Sequence, residues 1–142
     1  MSAAPSAFRG GCACGAIAFE CSAAPLSMVS CHCRDCQRAG GSGHSPSVVV
    51  SRAAFRVTRG EPRFYERRAD SGAVARRAFC AACGSPLFAS SSARPDVLAI
   101  RAGSLDDPSW FRPAAVVFAD SAQPWDPFPP GVSRQPRDRP RS

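Results

Sequence analysis

Lysine is absent from this 142-residue chain: all 18 basic side chains are arginine, set against 11 acidic ones for a net charge of +7. Arginine used alone, beside abundant alanine and proline, reads most simply as codon bias in a GC-rich genome. A basic patch interleaved with aromatics is also missing, so nucleic acid is not an expected partner. A mild positive bias does suit a small anionic substrate. No apolar run approaches the roughly 20 residues that cross a bilayer, so no membrane span is expected. The start "MSAAPSAFRG" has neither the basic beginning nor the apolar stretch of a signal peptide, which makes the cytoplasm the expected location. No pattern supports a long helix, and nothing repeats internally except short cysteine knuckles. With 44% apolar residues, the chain is expected to form one domain with a core of its own.

Cysteine, by contrast, is plentiful: eight residues, seven of them in three knuckles. These are Cys12-x-Cys14, Cys31-x-Cys33-x-x-Cys36 and Cys80-x-x-Cys83. Disulfides are a poor reading, because no export signal is visible and a C-x-C bridge closes a strained small ring. Metal binding is the better one. The first and third knuckles supply two thiolates each, enough for one closed tetrahedral four-sulfur site of the structural zinc type. Gly15 and Gly84 follow directly, where tight turns bring backbone amides near the sulfurs. Because the two halves lie far apart in sequence, such a metal would close a long loop and staple a small domain.

The middle knuckle then holds three thiolates, the pattern of a catalytic zinc with an open fourth position for substrate or water. Two alternatives stay open: Cys21 as a fourth ligand of a second closed site, or His44 as fourth ligand or acid/base. Cys21 otherwise reads as a small buried hydrophobe on a strand. His32 lies between ligands, so its side chain should point away from their metal. Asp35 reads as a turn or capping residue, and Trp110, Phe111 and Trp125 as packing.

Alternation of Ile17, Phe19 and Cys21 against Ala16, Ala18 and Glu20 predicts a strand with one buried face. Further strands are expected at 25–33, 48–50, 55–58 and 63–66, with "RGEP" as the turn between the last two. Two more flank the 80–83 knuckle, and 96–105 and 114–120 provide the remainder, the latter being the last. "RDCQRA" predicts one helical turn, broken by "GGSG". The domain organisation is then a loose leader over 1–9, a zinc-binding domain over 10–126 and a disordered Pro/Arg-rich tail over 127–142.

"GGCACGAIAFEC", "CHCRDCQRAGGSG", "FRVTRGEP", "FCAACGSPLF", "LDDP" and "PW", in this order, resemble the glutathione-dependent formaldehyde-activating enzyme family, which includes the centromere protein V type. The resemblance implies a mainly β, Mss-four-like fold, stapled by zinc and with little helix. It implies two zinc ions per chain: a structural one on Cys12, Cys14, Cys80 and Cys83, and a catalytic one on Cys31, Cys33 and Cys36. The implied activity is that of a carbon–sulfur lyase joining glutathione and formaldehyde into S-(hydroxymethyl)glutathione, with a small thiol or thiol–aldehyde adduct as the substrate class. Arg38 matches a basic position of the family and is the candidate for binding substrate carboxylates. Three departures bear on the substrate: Val116 stands where the family often has histidine, Ala122 near a usual lysine, and Gly40 where a hydroxyl is common. The rival to an enzyme is a non-catalytic zinc module that binds a protein or nucleic acid. The chain's own substrate and its oligomeric state are left open by the sequence.

Overall fold

Burial alternates with period two along residues 8–11, 18–21 and 97–101, and this sorts each of those strands into a face turned toward the core and a face turned away. The computed structural model describes residues 4–137. Eleven strands occur among them: β1 (Phe8–Gly11), β2 (Ala18–Cys21), β3 (Ser27–Cys31), β4 (Ser45–Ser51), β5 (Phe55–Arg59), β6 (Arg63–Arg68), β7 (Val74–Phe79), β8 (Pro86–Ser91), β9 (Val97–Arg101), β10 (Ala115–Val117) and β11 (Ser133–Arg134). A single α-helix, α1 (Arg34–Gly40), accompanies them among the described residues, so the fold is mainly β as expected. None of the described helices is long and apolar enough to cross a membrane.

The strands form two sheets. A small one has the order β1-β2-β5, and a large one the order β11-β10-β3-β4-β9-β8-β7-β6. The core lies where the two meet. Phe8, Phe19 and Cys21 come from the small sheet; Val48, Val50, Ala78, Phe88, Leu98 and Ile100 come from one face of the large sheet. Register explains the selection, since Ala78 pairs with Phe88, Phe88 with Ile100 and Ile100 with Val48 in one row across four strands. The next row, Arg77, Ala89, Ala99 and Val49, alternates to the opposite face. Its small alanines leave a concavity there.

Helix α1 begins where β3 ends. Its N-cap is Cys33, whose sulfur accepts from Cys36 N at 3.3 Å. It stops at Gly41, in the left-handed region at φ 69°, which matches the helical turn expected from "RDCQRA" and its glycine break.

The connection "RGEP" joins strands that do not pair. β5 belongs to the small sheet and β6 to the far edge of the large one. Gly60 makes the crossing possible, because φ is +78° and an added Cβ would lie 2.2 Å from the Ala16 carbonyl oxygen.

Among the described residues, parts of the anticipated leader and tail are more structured than expected. Phe8, inside the anticipated leader, is 9% exposed, starts β1 and meets Trp110 with ring centroids 5.2 Å apart. The anticipated disordered tail carries β11, which runs parallel to β10. Gln135 N donates to Val116 O at 2.8 Å, Ala119 N to Gln135 O at 2.9 Å and Phe118 N to Arg137 O at 2.8 Å. The physical reason is that β10 would otherwise present an unpaired edge, and residues 133–135 offer donors and acceptors between prolines. Composition alone hid this. The rest of the anticipated tail, 138–142, lies outside the described residues.

A chain ending at Pro127 loses β11 and the Phe128 ring. Its melting temperature is expected to fall by roughly 5 °C, read by thermal denaturation followed by circular dichroism; an unchanged melt would show that β11 adds no stability.

Candidate metal centres

Cys12 and Cys14 sit on the turn after β1, and Cys80 and Cys83 on the turn between β7 and β8. Their four Sγ atoms lie within 4.8 Å of one another. Cys12 and Cys14 Sγ are 3.6 Å apart, and Cys14 and Cys80 Sγ 3.7 Å apart. A tetrahedral zinc with Zn–S bonds of about 2.3 Å places its sulfurs about 3.8 Å apart, so this donor set fits zinc in number, chemistry and spacing. The backbone supports it as expected for knuckles: Ile17 N donates to Cys12 Sγ at 3.2 Å, and Gly15 and Gly84 turn the chain at φ 81° and 79°.

Ser85, which sequence reasoning passed over, joins the two halves. Its Oγ accepts from Ala13 N at 3.0 Å and lies 3.2 Å from Cys83 Sγ. The Ser85 hydroxyl, followed by the Ser85 and Cys14 backbone amides, brings the Cys83 thiol down to about 5. Such a sulfur is already prepared to act as an anionic ligand.

Cys31, Cys33 and Cys36 form a second cluster, their Sγ atoms also within 4.8 Å of one another. Neither proposed fourth ligand joins it. Cys21 is 1% exposed in the core, its thiol directed to Ala23 O at 3.4 Å, in keeping with a small buried hydrophobe. His44 Nδ1 lies instead 2.6 Å from Asp126 Oδ2, and its ring stacks on His32 with centroids 4.8 Å apart. His32 groups with His44 and Asp126 rather than with the thiols flanking it, as strand alternation requires. Asp35 lies in the first turn of α1 and pairs with Arg67 Nε at 3.1 Å, which ties the helix start to edge strand β6.

Negative charge concentrates on Cys36. Hydrogen bonds from Cys31 and Cys33, and then the Arg101 and Arg77 guanidinium charges, hold its thiol down at about 2. Contact with Cys33 and Cys36 pushes the Cys31 thiol far up, since a second thiolate so close is repelled. A divalent cation relieves that repulsion, so three crowded thiols beside two arginines fit a zinc centre whose fourth position is not supplied by a described residue.

Cys31 and Cys36 open into a cavity of about 300 Å³ on the face of the large sheet turned from the core. Val29, Val49, Val97 and Val117 make it apolar, while Arg77, Arg94 and Arg101 add positive charge. Arg101 is anchored by a 2.6 Å bond from Nη1 to Ser47 Oγ. Arg77 Nε is buried and has no hydrogen-bond acceptor among the described residues. Sequence reasoning missed both arginines. The available signal was their period-two placement, Arg77 with Ala75 and Arg101 with Val97 and Ala99, on the face turned from the core.

Arg38 is exposed and lines an adjoining cavity of about 400 Å³ that also reaches Arg77 and Arg101. Val116 is fully buried but does not line the thiol cavity, where its neighbour Val117 stands. Its departure from histidine therefore leaves the polarity of that wall unchanged. At Gly40 an added Cβ would lie 3.2 Å from Ser45 Oγ. That hydroxyl is fully buried and donates to Cys36 O at 2.8 Å. Trp110 packs in the core, whereas Trp125 is 67% exposed.

Cys80→Ser removes one of four clustered thiols contributed by distant parts of the chain, at a side chain 1% exposed. It is expected to cost on the order of 4 kcal/mol in stability. Cys33→Ser, at the three-thiol cluster, should cost distinctly less; the opposite order in denaturant melts would reverse the structural and open assignments.

No curated protein matches this sequence. Among solved structures, a crystal structure of a Rhodobacter sphaeroides protein, a structural-genomics target, superposes with a TM-score of 0.58 at 23% identity, covering 70% of this chain and 88% of that one. That likeness concerns the fold. The family model described as glutathione-dependent formaldehyde-activating enzyme matches residues 7–121, a span that takes in both thiol clusters and every strand from β1 to β10. With that match over most of its length, the chain belongs to the glutathione-dependent formaldehyde-activating enzyme family.

Proposed function

We propose that this protein is a zinc-dependent carbon–sulfur lyase-like enzyme, of the S-(hydroxymethyl)glutathione synthase type, acting on a small thiol or its aldehyde adduct in the cytoplasm. The observation that carries the reading is the three-thiol cluster opening, through Cys31 and Cys36, into a cavity that also holds Arg77 and Arg101. Two zinc ions per chain are part of the proposal, one on Cys12, Cys14, Cys80 and Cys83 and one on Cys31, Cys33 and Cys36. When bound at the second site, zinc supplies a coordination position that takes a thiol and favours its deprotonated form.

The reaction joins a thiol sulfur to an aldehyde carbon. One carbon–sulfur bond forms, the carbonyl π bond becomes a C–O single bond, and the thiol proton ends on that oxygen. Negative charge develops on the aldehyde oxygen as the bond forms. Arg77 lines the cavity, and its guanidinium N–H groups are the donors available to that oxygen. Arg101, held by Ser47, offsets the thiolate charge and holds a substrate carboxylate. Arg38, at the neighbouring opening, takes a second carboxylate of a larger thiol such as glutathione. The valine wall sets an apolar surface beside the reacting atoms. Holding sulfur and aldehyde together removes much of the entropic barrier, which matters because three thiolates leave zinc a weak Lewis acid.

X-ray absorption at the zinc edge, with and without glutathione, tests the site directly. One added sulfur at the second zinc and release of about one proton per thiol bound are expected. Four protein ligands and an unchanged spectrum would end the enzyme reading in favour of a binding module. Arg77→Gln is expected to lower the rate of adduct formation about 100-fold with metal content intact, measured by scavenging the hydroxymethyl thiol product; an unchanged rate would remove Arg77 from the chemistry.

A further inference from the structure

Three side chains outside both thiol clusters converge from separate segments of the chain. His32 belongs to the knuckle after β3, His44 to the loop between α1 and β4, and Asp126 to the segment that follows the family match. One ligand atom from each lies within 4.8 Å of the other two. His32 is 2% exposed, and its Nδ1 has no hydrogen-bond partner among the described residues; Asp126 Oδ2 is 3.7 Å away, too far to accept. Buried imidazole nitrogens are ordinarily paired, so this one requires an explanation.

The carboxylate has been given a particular seat. A Cβ at Gly43 would lie 2.2 Å from Asp126 Oδ2 and 2.7 Å from Asp126 Cβ, so only glycine admits the side chain there. The Phe128 ring closes the far side, edge-on to His32 with centroids 5.1 Å apart. Gln37, 4% exposed, fixes the approach, its Nε2 donating to His32 O at 2.7 Å and to Ser121 O at 3.0 Å.

We propose that His32, His44 and Asp126 form a third metal site that binds a divalent first-row transition ion through two imidazole nitrogens and one carboxylate oxygen. This donor set suits zinc, cobalt(II) or iron(II), whereas magnesium and calcium prefer oxygen alone and thiophilic ions prefer the cysteines. The His44–Asp126 contact at 2.6 Å is a hydrogen bond that the ion replaces. The proton on His44 Nδ1 moves to Nε2, leaving Nδ1 free to ligate. His44 also lines a cavity with Gly40, Ser42 and Ser45, which gives ion and water a route in. The site is independent of the thiol chemistry and stands whether or not the lyase reading does.

The chain has two histidines, both in this site, so their ring signals report on it without interference. Protein carrying zinc in its thiolate clusters is titrated with zinc and with cobalt(II), read by long-range proton–nitrogen NMR of the imidazoles and by visible absorption. Both ring signals should shift in one saturable step of one further equivalent per chain. The added cobalt should show weak d–d bands without thiolate charge transfer. Asp126→Asn should weaken this binding at least 10-fold, and His44→Gln should abolish it. Imidazole signals that stay fixed, a third cobalt with thiolate charge transfer, or equal affinity in Asp126→Asn would each overturn the proposal. The wild-type titration decides even if a variant does not fold.

Discussion

Mutual repulsion among crowded sulfurs is the constraint on which the rest of this protein depends. Four thiols in one cluster and three in another are each held within 4.8 Å, closer than anionic sulfurs tolerate without a cation. The protein does part of the neutralising itself, through backbone amides at Cys12 and Cys33, the Ser85 hydroxyl, and the charges of Arg77 and Arg101 near Cys36. The charge that remains is of the kind a metal ion would balance, and both donor sets could hold one. The four-thiol cluster brings the turn after β1 to the turn before β8, with Cys14 and Cys80 separated by 66 positions, and a metal there would lock the small sheet onto the large one. Loops of that length gain most from a crosslink.

The large sheet does two jobs with two faces. Val48, Val50, Leu98 and Ile100 bury one face against the small sheet. Ser47, Val49, Val97, Ala99 and Arg101 alternate to the other and line the thiol cavity. A one-residue slip of β9 against β4 would put Arg101 into the core and Ile100 into the cavity. The hydrophobic requirement of the core thus positions the arginines that the candidate site needs. A partly buried guanidinium on a central strand is costly unless it has partners. Burial does pull Arg101 down, and the charge on Cys36, opposing that pull, together with Ser47 supplies the compensation.

This division decided what could be read in advance. Knuckle spacing needs only a few consecutive residues, so the cysteine groupings and the glycine turns after them were legible, as were the single helical turn and most strands. Contacts between distant segments were not. Arg77 and Arg101 looked like ordinary strand residues until register set them beside Cys36. Ser85 and Gln37 had no local signal at all. Pro/Arg-rich composition argued for disorder beyond residue 126, but pairing with the open edge of β10 is a tertiary effect that composition does not carry. The "RGEP" turn was recognised, while its role in carrying the chain from one sheet to the other depends on how closely Gly60 approaches Ala16.

The knuckle after β3 is gripped from both sides, and this follows from strand geometry. Cys31 and Cys33 point one way, and His32, between them, must point the other. On the thiol side the grip consists of arginines and a cavity; on the histidine side it consists of Asp126, His44, Phe128 and the Gln37 bridge to Ser121. The family match ends at residue 121, so two of the groups closing the second side, Asp126 and Phe128, come from the chain beyond it. Any force that shifts β11 or Asp126 is transmitted to the backbone holding Cys31 and Cys33, because Val117 O accepts from His32 N at 3.0 Å and Gln135 N binds the adjoining Val116 O. The segment whose composition read as disordered is therefore built into the support of the Cys31, Cys33 and Cys36 cluster.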